Sequence, residues 1–271
     1  MARSRFMVKI IEKFFPSRFK LAKMTNYPII GKLIDRWFFE EDDMVYIPKD
    51  NVIELNRDIE LPDNIVLPSK IVEHFIEEAN YHWIMDFCIC RESMDCDDYP
   101  IELGCLFLGE AAKNINPELG REVTKEEAHR HVERCKEAGL VQLIGRNKLD
   151  PVWLDVGPGE KLMTICNCCP CCCLWKMLPD LSPDIGGKIK KLPGVEVKVT
   201  KDCTGCGRCT EGVCFVDAIR IEDGKAVIND DCRGCGRCVE ACPNDAIVLD
   251  IMDEDFYTDS IENLEAKIDI K

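Results

Sequence analysis

The chain has 271 residues, 46% of them hydrophobic, a composition that predicts two or three packed units and excludes a disordered protein. Its formal net charge of −15 argues against nucleic acid as a partner and favours partner proteins with basic docking surfaces. The 19 cysteines exceed what packing requires, and a protein of this size does not need disulfides to compensate for a small core.

Residues 1–39 form a basic head with nine Lys or Arg and two acidic residues, a net of +7, which leaves −22 for the remainder. Its apolar residues recur at helical spacing and predict an amphipathic helix that ends before Pro16. We expect the apolar face to pack on the protein's own core or on a partner subunit, with peripheral membrane contact as the alternative. Lys9 and Glu12 interrupt the apolar stretch of a secretory signal, and no segment reaches the ~18 apolar residues of a membrane span, so a cytoplasmic protein is expected.

Residues 40–68 are rich in Asp, Glu and Pro and predict an extended connector, and residues 69–173 predict a mostly helical, cysteine-rich domain. One helix is expected from Ser69, and another from Thr124, which has capping-box spacing to Glu127. The strings LVQLIG and KLMTICN predict two strands joined by a long loop. Helix, strand, loop and strand follow in the order of a winged-helix unit, although the acidic charge argues against DNA as its partner.

Eleven cysteines precede residue 195, and six of them lie within the eight residues of CNCCPCCC. Such a run would oxidise and cross-link if nothing bound it, so we expect these cysteines to bind at least one iron-sulfur cluster of their own, with zinc or unligated thiols as the alternatives. In an extended run, neither Cys168 and Cys169 nor Cys171 and Cys172 should share a metal, because adjacent side chains point to opposite faces. Cys135 lies in a predicted helix and is interpreted as packing. The candidate metal ligands are Cys88, Cys90, Cys96, Cys105, Cys166, Cys168, Cys169, Cys171, Cys172 and Cys173.

A linker rich in Pro and Gly at residues 174–194 precedes an internal repeat. The first copy reads CTGCGRCTEGVCFVDAI (203–219) and the second CRGCGRCVEACPNDAI (232–247). Three cysteines in CxxCxxC can wrap one corner of an iron-sulfur cube, because the glycines let backbone N–H groups approach the sulfurs. Thiolates are soft ligands that suit iron-sulfur centres, whereas two such triplets are a poor zinc pattern.

The repeat resembles the bacterial two-cluster ferredoxins, in which the fourth cysteine of each copy serves the other cluster. The resemblance covers residues 195–251, before an acidic extension at 252–271, and implies a ferredoxin-like module with two 4Fe-4S clusters. The first copy departs from the pattern, because Cys214 comes one residue late and Phe215 replaces the usual proline. The implied ligands are Cys203, Cys206, Cys209 and Cys242 for one cluster, and Cys232, Cys235, Cys238 and Cys214 for the other.

Short strands agree with this resemblance, since VEVKVT, AIRIE, KAVIN and AIVLD have strand patterns and Asp223-Gly224 predicts a hairpin turn. With the helical segments upstream, they indicate an α+β protein. The strings CICRESMDC, CNCC and CCC also resemble the cysteine-rich leader before ferredoxin modules in poorly characterised iron-sulfur proteins of anaerobes.

These resemblances imply an electron-transfer protein, a subunit or donor of a cytoplasmic redox complex in an anaerobic or oxygen-sensitive pathway. The sequence has no GxGxxG, GxxxxGK[ST] or GxSxG motif, so nucleotide or flavin binding is unsupported. A reductase with a substrate-binding cluster upstream of the repeat is the first alternative. A redox-sensing regulator is the second, and the acidic charge disfavours it.

Overall fold

The computed structural model describes residues 5–55, 66–252 and 255–271. Within them the strands are β1 Asp43–Ile47, β2 His82–Met85, β3 Leu106–Leu108, β4 Gly120–Glu122, β5 Val141–Arg146, β6 Met163–Cys168, β7 Ile189–Lys191, β8 Val195–Val199, β9 Ile219–Glu222, β10 Lys225–Ile228 and β11 Ile247–Ile251. The α-helices are α1 Arg5–Phe14, α2 Arg18–Met24, α3 Pro28–Ile34, α4 Asp50–Leu55, α5 Ser69–Glu78, α6 Ile89–Glu92, α7 Lys125–Glu137, α8 Leu149–Leu154, α9 Pro183–Gly186, α10 Arg237–Glu240 and α11 Phe256–Glu265.

Three sheets organise these elements. The largest has seven strands in the order β4-β2-β3-β6-β5-β1-β7, antiparallel throughout except for the parallel pair of β1 and β7. The hairpin β9-β10 and the antiparallel pair β8-β11 form two small sheets in the C-terminal repeat. Mixed helix and strand content places the chain in the α+β class.

Several elements have the bounds that the sequence predicts. Helix α5 begins at Ser69, and α7 begins after Thr124, whose hydroxyl accepts from the Glu127 N–H at 3.3 Å while the Glu127 carboxylate accepts from the Thr124 N–H at 3.0 Å. The strands of the repeat also form where expected. The turn at Asp223 and Gly224, with φ of +48° and +75°, has the left-handed conformations that a two-residue hairpin favours.

The winged-helix arrangement differs from what the chain forms. Strands β5 and β6 do pair with each other. However, β1 lies on the other side of β5 and β3 lies on the other side of β6, so β5 and β6 are interior strands of a wide sheet. Segment 69–173 is therefore organised by this sheet, and its short strands β2 and β3 gave too little sequence signal to alter the prediction of a mostly helical domain.

The predicted connector and linker also contain strands of the main sheet. Strand β1 lies between β5 and β7, and its residues Met44 to Ile47 are buried. Because both faces are covered, β1 lacks the polar alternation that identifies a half-exposed strand. Strand β7 and the 3₁₀ helix Leu174–Asp180 occupy the predicted linker. Part of the predicted connector, residues 56–65, lies outside the described residues.

One apolar core joins the main sheet to the repeat. It includes Val45 and Ile144 from the main sheet together with Val195, Ile247 and Leu249 from β8 and β11. The C-terminal extension returns to the same core, where four apolar side chains of α11 and of the residues after it are buried. Those side chains are Phe256, Leu264, Ile268 and Ile270.

The N-terminal helices leave much of their apolar surface exposed. Of the fourteen large hydrophobic side chains that are exposed among the described residues, ten belong to the basic head, including Ile29 (85%), Leu33 (57%) and Trp37 (65%). Val8 of α1 and Ala22 of α2, in contrast, are fully buried. Within the described ranges no helix has the length and apolarity to cross a bilayer.

Candidate metal centres

The two copies of the repeat adopt the same local backbone. Gly207 and Gly236 occupy equivalent positions with φ of +81° and +83°, a region that glycine enters without steric cost. The N–H groups of Ala218 and Ala246 donate to the sulfurs of Cys214 and Cys242, each over 3.3 Å. The extra residue of the first copy is therefore accommodated before Cys214, where Gly212 has φ +68° and an added Cβ would meet nothing within 4 Å.

One cavity of the repeat opens between the two copies. Cys203 is partly buried, and the Ala226 N–H donates to its sulfur over 3.3 Å. This backbone hydrogen bond and a second one from Gly205 lower the pKa of the Cys203 thiol. The cysteines on the cavity wall are Cys203, Cys206, Cys209 and Cys242.

A second cavity lies between the repeat and the main sheet. Burial raises the pKa of the Cys235 thiol to about 12, so a thiolate is unfavourable there unless a cation lies beside it. Tyr46 of β1 is fully buried on the cavity wall, and its hydroxyl has no hydrogen-bond partner among the described residues. The cysteines on this wall are Cys214, Cys232, Cys235 and Cys238.

Both cavities fit an iron-sulfur cluster. Each supplies four soft sulfur donors around an empty, largely apolar space, with backbone N–H groups directed at the sulfurs. No three of these eight sulfurs lie within 4.8 Å of one another, so they surround the space without converging on one point. The unpartnered Tyr46 hydroxyl in the second cavity is a donor available to a bound anion.

The candidate ligands before the repeat separate into two groups. In the four-thiol group (Cys96, Cys169, Cys171 and Cys172) all four sulfurs lie within 4.8 Å of one another. Strand β6 ends at Cys168, and the turn that follows brings Cys171 within 3.4 Å of Cys169 and 3.5 Å of Cys172. Cys171 and Cys172 therefore lie in one group, because the run does not stay extended. Cys168 and Cys169 lie in different groups.

The six-thiol group is Cys88, Cys90, Cys105, Cys166, Cys168 and Cys173. Cys105 precedes β3 and lies 3.9 Å from Cys166 of the adjacent strand β6, sulfur to sulfur. Cys168 of the same strand lies 3.3 Å from Cys173, whose sulfur also accepts the Trp175 N–H. Cys88 and Cys90 form a hydrogen-bonded pair at the start of α6, and that bond, followed by the charge of Arg91, lowers the pKa of Cys88 to about 6.

Two buried arginines lie among these thiols. Arg91 is fully buried, donates to the backbone carbonyls of Asn167 and Leu103, and is surrounded by cysteines. Arg18 is 5% exposed and donates to the Cys172 carbonyl over 3.4 Å. Neither forms an ion pair with a carboxylate in the described parts of the chain, so the thiols are the groups that can supply compensating negative charge.

Cys135 is fully buried on α7, as its interpretation as packing predicts. Its sulfur lies 3.7 Å from the His131 ring, and burial raises the pKa of its thiol to about 12. It belongs to neither thiol group.

Residues 225–248 match the family described as 4Fe-4S binding domain. The chain therefore carries a 4Fe-4S binding domain. The matched segment contains Cys232, Cys235, Cys238 and Cys242, which reach both cavities of the repeat. No curated protein and no solved structure matched the chain.

Sequence reasoning missed two residues of these sites. Tyr46 lay in a segment interpreted as a connector, and the string MVYI was the only local signal of a buried strand. Arg18 lay in the basic head among eight other cations, and nothing in its sequence neighbourhood distinguished it from them.

Proposed function

We propose that the chain is an iron-sulfur electron-transfer protein with two 4Fe-4S clusters in the repeat and at least one further cluster upstream. It acts as a subunit or donor of a cytoplasmic redox complex in an oxygen-sensitive pathway. The observation that supports this most is that each cavity of the repeat is lined by three cysteines of one copy and the fourth cysteine of the other.

When bound, each cluster would accept and release one electron at a time. The chain's own residues hold the sulfurs and tune their surroundings. The Ala226 and Gly234 N–H groups donate to Cys203 and Cys232, and such hydrogen bonds stabilise negative charge on sulfur. Apolar side chains such as Val197 and Ile228 line the second cavity and limit access of water.

The position of Tyr46 supports an internal connection between the repeat and the upstream cysteines. Burial raises the pKa of the Tyr46 hydroxyl, and negative charge at Cys173, Cys168 and Cys235 raises it further, so cysteines of both regions lie near it. Tyr46 packs on Phe215 with ring centroids 5.5 Å apart. The second cavity and the six-thiol group thus share one apolar cluster, which favours relay of electrons between centres. We propose the six-thiol group as the site of the further iron-sulfur cluster.

Charge supports a basic redox partner. A 4Fe-4S centre with four thiolates carries about −2 when oxidised, so two of them would bring the formal charge of −15 to about −19. An acidic surface attracts a basic partner over distances set by the ionic strength and repels nucleic acid.

Peripheral membrane contact through residues 1–39 belongs to the same proposal. The exposed Ile29, Leu33 and Trp37 lie within a segment of net charge +7, and apolar side chains flanked by cations favour an anionic lipid surface.

We expect the chain to sediment with vesicles of anionic phospholipid and not with neutral vesicles. Trp37→Ser should weaken binding, whereas Val152→Ser, at an apolar site that is 46% exposed elsewhere, should not. Equal binding to both vesicle types would contradict this contact.

A reductase with a substrate-binding cluster upstream remains the second candidate, because the upstream thiols exceed what one cluster of four ligands requires. Cys88, Cys168 and Cys173 are at most 7% exposed, and this burial favours relay over substrate binding. Loss of substrate turnover in the isolated Cys88→Ser protein would support the reductase; loss of electron relay alone would support the carrier.

Anaerobic purification with iron, acid-labile sulfide and electron paramagnetic resonance (EPR) measurements tests the proposal. We expect about twelve irons and twelve sulfides in cubane clusters per chain, with EPR signals from reduced 4Fe-4S centres. About eight of each would contradict the further cluster alone. A colourless, iron-free protein, or zinc at the eight cysteines of the repeat, would contradict the whole function.

A further inference from the structure

We propose that the four-thiol group binds a single tetrahedrally coordinated metal ion, zinc or iron, at a site separate from every iron-sulfur cluster. Around Cys171, the sulfur of Cys96 lies at 3.6 Å, that of Cys169 at 3.4 Å and that of Cys172 at 3.5 Å. Metal–sulfur bonds of about 2.3 Å at tetrahedral angles separate neighbouring sulfurs by about 3.8 Å. The four sulfurs thus already converge on the volume of one ion.

The cysteines of the repeat give an internal contrast. A cubane places each thiolate on a different iron, so its four sulfurs must stand farther apart than the ligands of one ion. Among the described residues, the four-thiol group alone has three or more sulfurs within 4.8 Å of one another. The same chain therefore holds two kinds of cysteine arrangement, and this one has no room for a cube between its sulfurs.

Burial also favours a bound ion at this site. Thiolates held out of water need a cation beside them. Cys169 and Cys172 are at most 5% exposed, so the ion would be held largely out of water.

Nearby cations match the charge of such a centre. Four thiolates on a divalent ion carry a net charge of about −2. Arg91 is close enough to Cys169 for the two charges to interact, and Arg18 donates to the Cys172 carbonyl. Lys176 donates to the carbonyl of Pro170 over 3.2 Å, within the turn that carries three of the ligands.

The ion would link two parts of the chain that lie far apart in sequence. Cys96 follows α6, the helix that carries Cys90, whereas the other three ligands follow β6, the strand that carries Cys166 and Cys168. A metal between them fixes the position of α6 relative to the end of β6. The site therefore holds the two halves of the six-thiol group in register and has a structural role.

Metal and sulfide counting on the anaerobically purified full-length chain tests the site. In cubane clusters iron and acid-labile sulfide are equal, so the sum of zinc and of iron in excess of sulfide should be about one per chain. Cys96→Ser and Cys171→Ser, both at partly exposed cysteines, should each abolish that one equivalent and leave labile sulfide unchanged at first isolation. Where the ion is zinc, X-ray absorption at the zinc edge should give four sulfur neighbours at about 2.3 Å and no second metal.

Cys135→Ala is the matched control, because Cys135 packs in the same apolar cluster as Cys169 and Cys172 but lies outside the group. It should retain the extra equivalent. Loss of about four irons together with four sulfides in Cys96→Ser would make the site a cluster and overturn the proposal. A parent chain with no zinc and with equal iron and sulfide would also overturn it, whatever the variants do. Neither result alters the test of the repeat, whose EPR signals are read separately.

Discussion

Tyr46 is a buried residue whose hydroxyl does not help to hold the fold together. Its hydroxyl has no hydrogen-bond partner in the described chain, and Tyr46 is one of the residues that line the second cavity. A donor near an anionic cluster stabilises the reduced, more negative form and so raises its potential. We expect Tyr46→Phe to lower the midpoint potential of one cluster by roughly 40 mV, the equivalent of about 1 kcal/mol for one electron.

EPR-monitored redox titration measures this shift, and the first cavity is the internal control because Tyr46 does not line it. Tyr257→Phe, on helix α11 and outside the lining of both cavities, should change neither potential. Equal shifts of both clusters, or an upward shift in Tyr46→Phe, would contradict a hydroxyl that donates to one centre.

Arg91 gives a second test at the residue scale. Two alternative states of the upstream thiols predict that its substitution changes the free energy of unfolding in opposite directions. If they form an anionic metal-thiolate centre, Arg91→Met removes the compensating charge and should destabilise the chain by about 3–5 kcal/mol, with loss of upstream iron. If they are neutral and unligated, removal of an uncompensated buried cation should stabilise the fold. We expect the first result.

Urea-induced unfolding of the anaerobic protein, with iron counting on the same samples, measures both effects. Arg208→Met is the control, since the Arg208 side chain is 68% exposed and lies near Glu211 at the surface. Stabilisation by Arg91→Met with unchanged iron would count against any metal centre upstream of the repeat.

At the scale of elements, the repeat and helix α4 pack closely at one glycine. A Cβ on Gly236 would lie 2.7 Å from Cγ2 of the buried Val52 in α4, whereas a Cβ on the equivalent Gly207 would meet its nearest neighbour at 3.9 Å. Both substitutions to Ala carry the cost of a left-handed residue, about 1–2 kcal/mol. Gly236→Ala should cost about 1–3 kcal/mol more because of the clash.

The rate at which cluster absorbance bleaches in urea compares these two variants directly. Gly236→Ala should bleach faster than Gly207→Ala, which in turn should bleach faster than the parent chain. Equal rates in the two variants would mean that α4 does not press on the second copy of the repeat.

Elements with a local signal were predictable, and elements fixed by distant contacts were not. Helix α7 has its capping box within four residues, and the turn at Asp223 and Gly224 needs only its own two residues. Strand β1, in contrast, is defined by partners about a hundred residues away in β5 and by β7. Its buried, non-alternating residues follow an acidic stretch, so the local pattern gave the wrong element.

At the scale of the whole molecule, repetition made the grouping of the C-terminal cysteines around two cavities predictable. The second copy showed which residues correspond in the first, and this correspondence survived the extra residue before Cys214 because Gly212 accommodates it locally. The upstream cysteines have no second copy to compare with. Their neighbours come from segments 61 to 75 residues apart, as in Cys105 with Cys166 and Cys96 with Cys171, and spacing alone could not divide them into groups of four and six.

The charge of the whole molecule gives a prediction about its partners. With a formal charge of −15 before any cluster is counted, association with a basic electron acceptor should be steered by long-range attraction. That attraction is screened as the Debye length falls from about 30 Å at 0.01 M salt to about 8 Å at 0.15 M.

We expect the second-order rate of electron transfer to a small basic haem protein to fall about tenfold or more across this range. An acidic acceptor of similar potential should react faster as salt is added, because screening then removes repulsion. Stopped-flow mixing of the reduced protein with each acceptor measures both rates, and a basic acceptor whose rate does not change with salt would show that docking does not depend on the acidic surface.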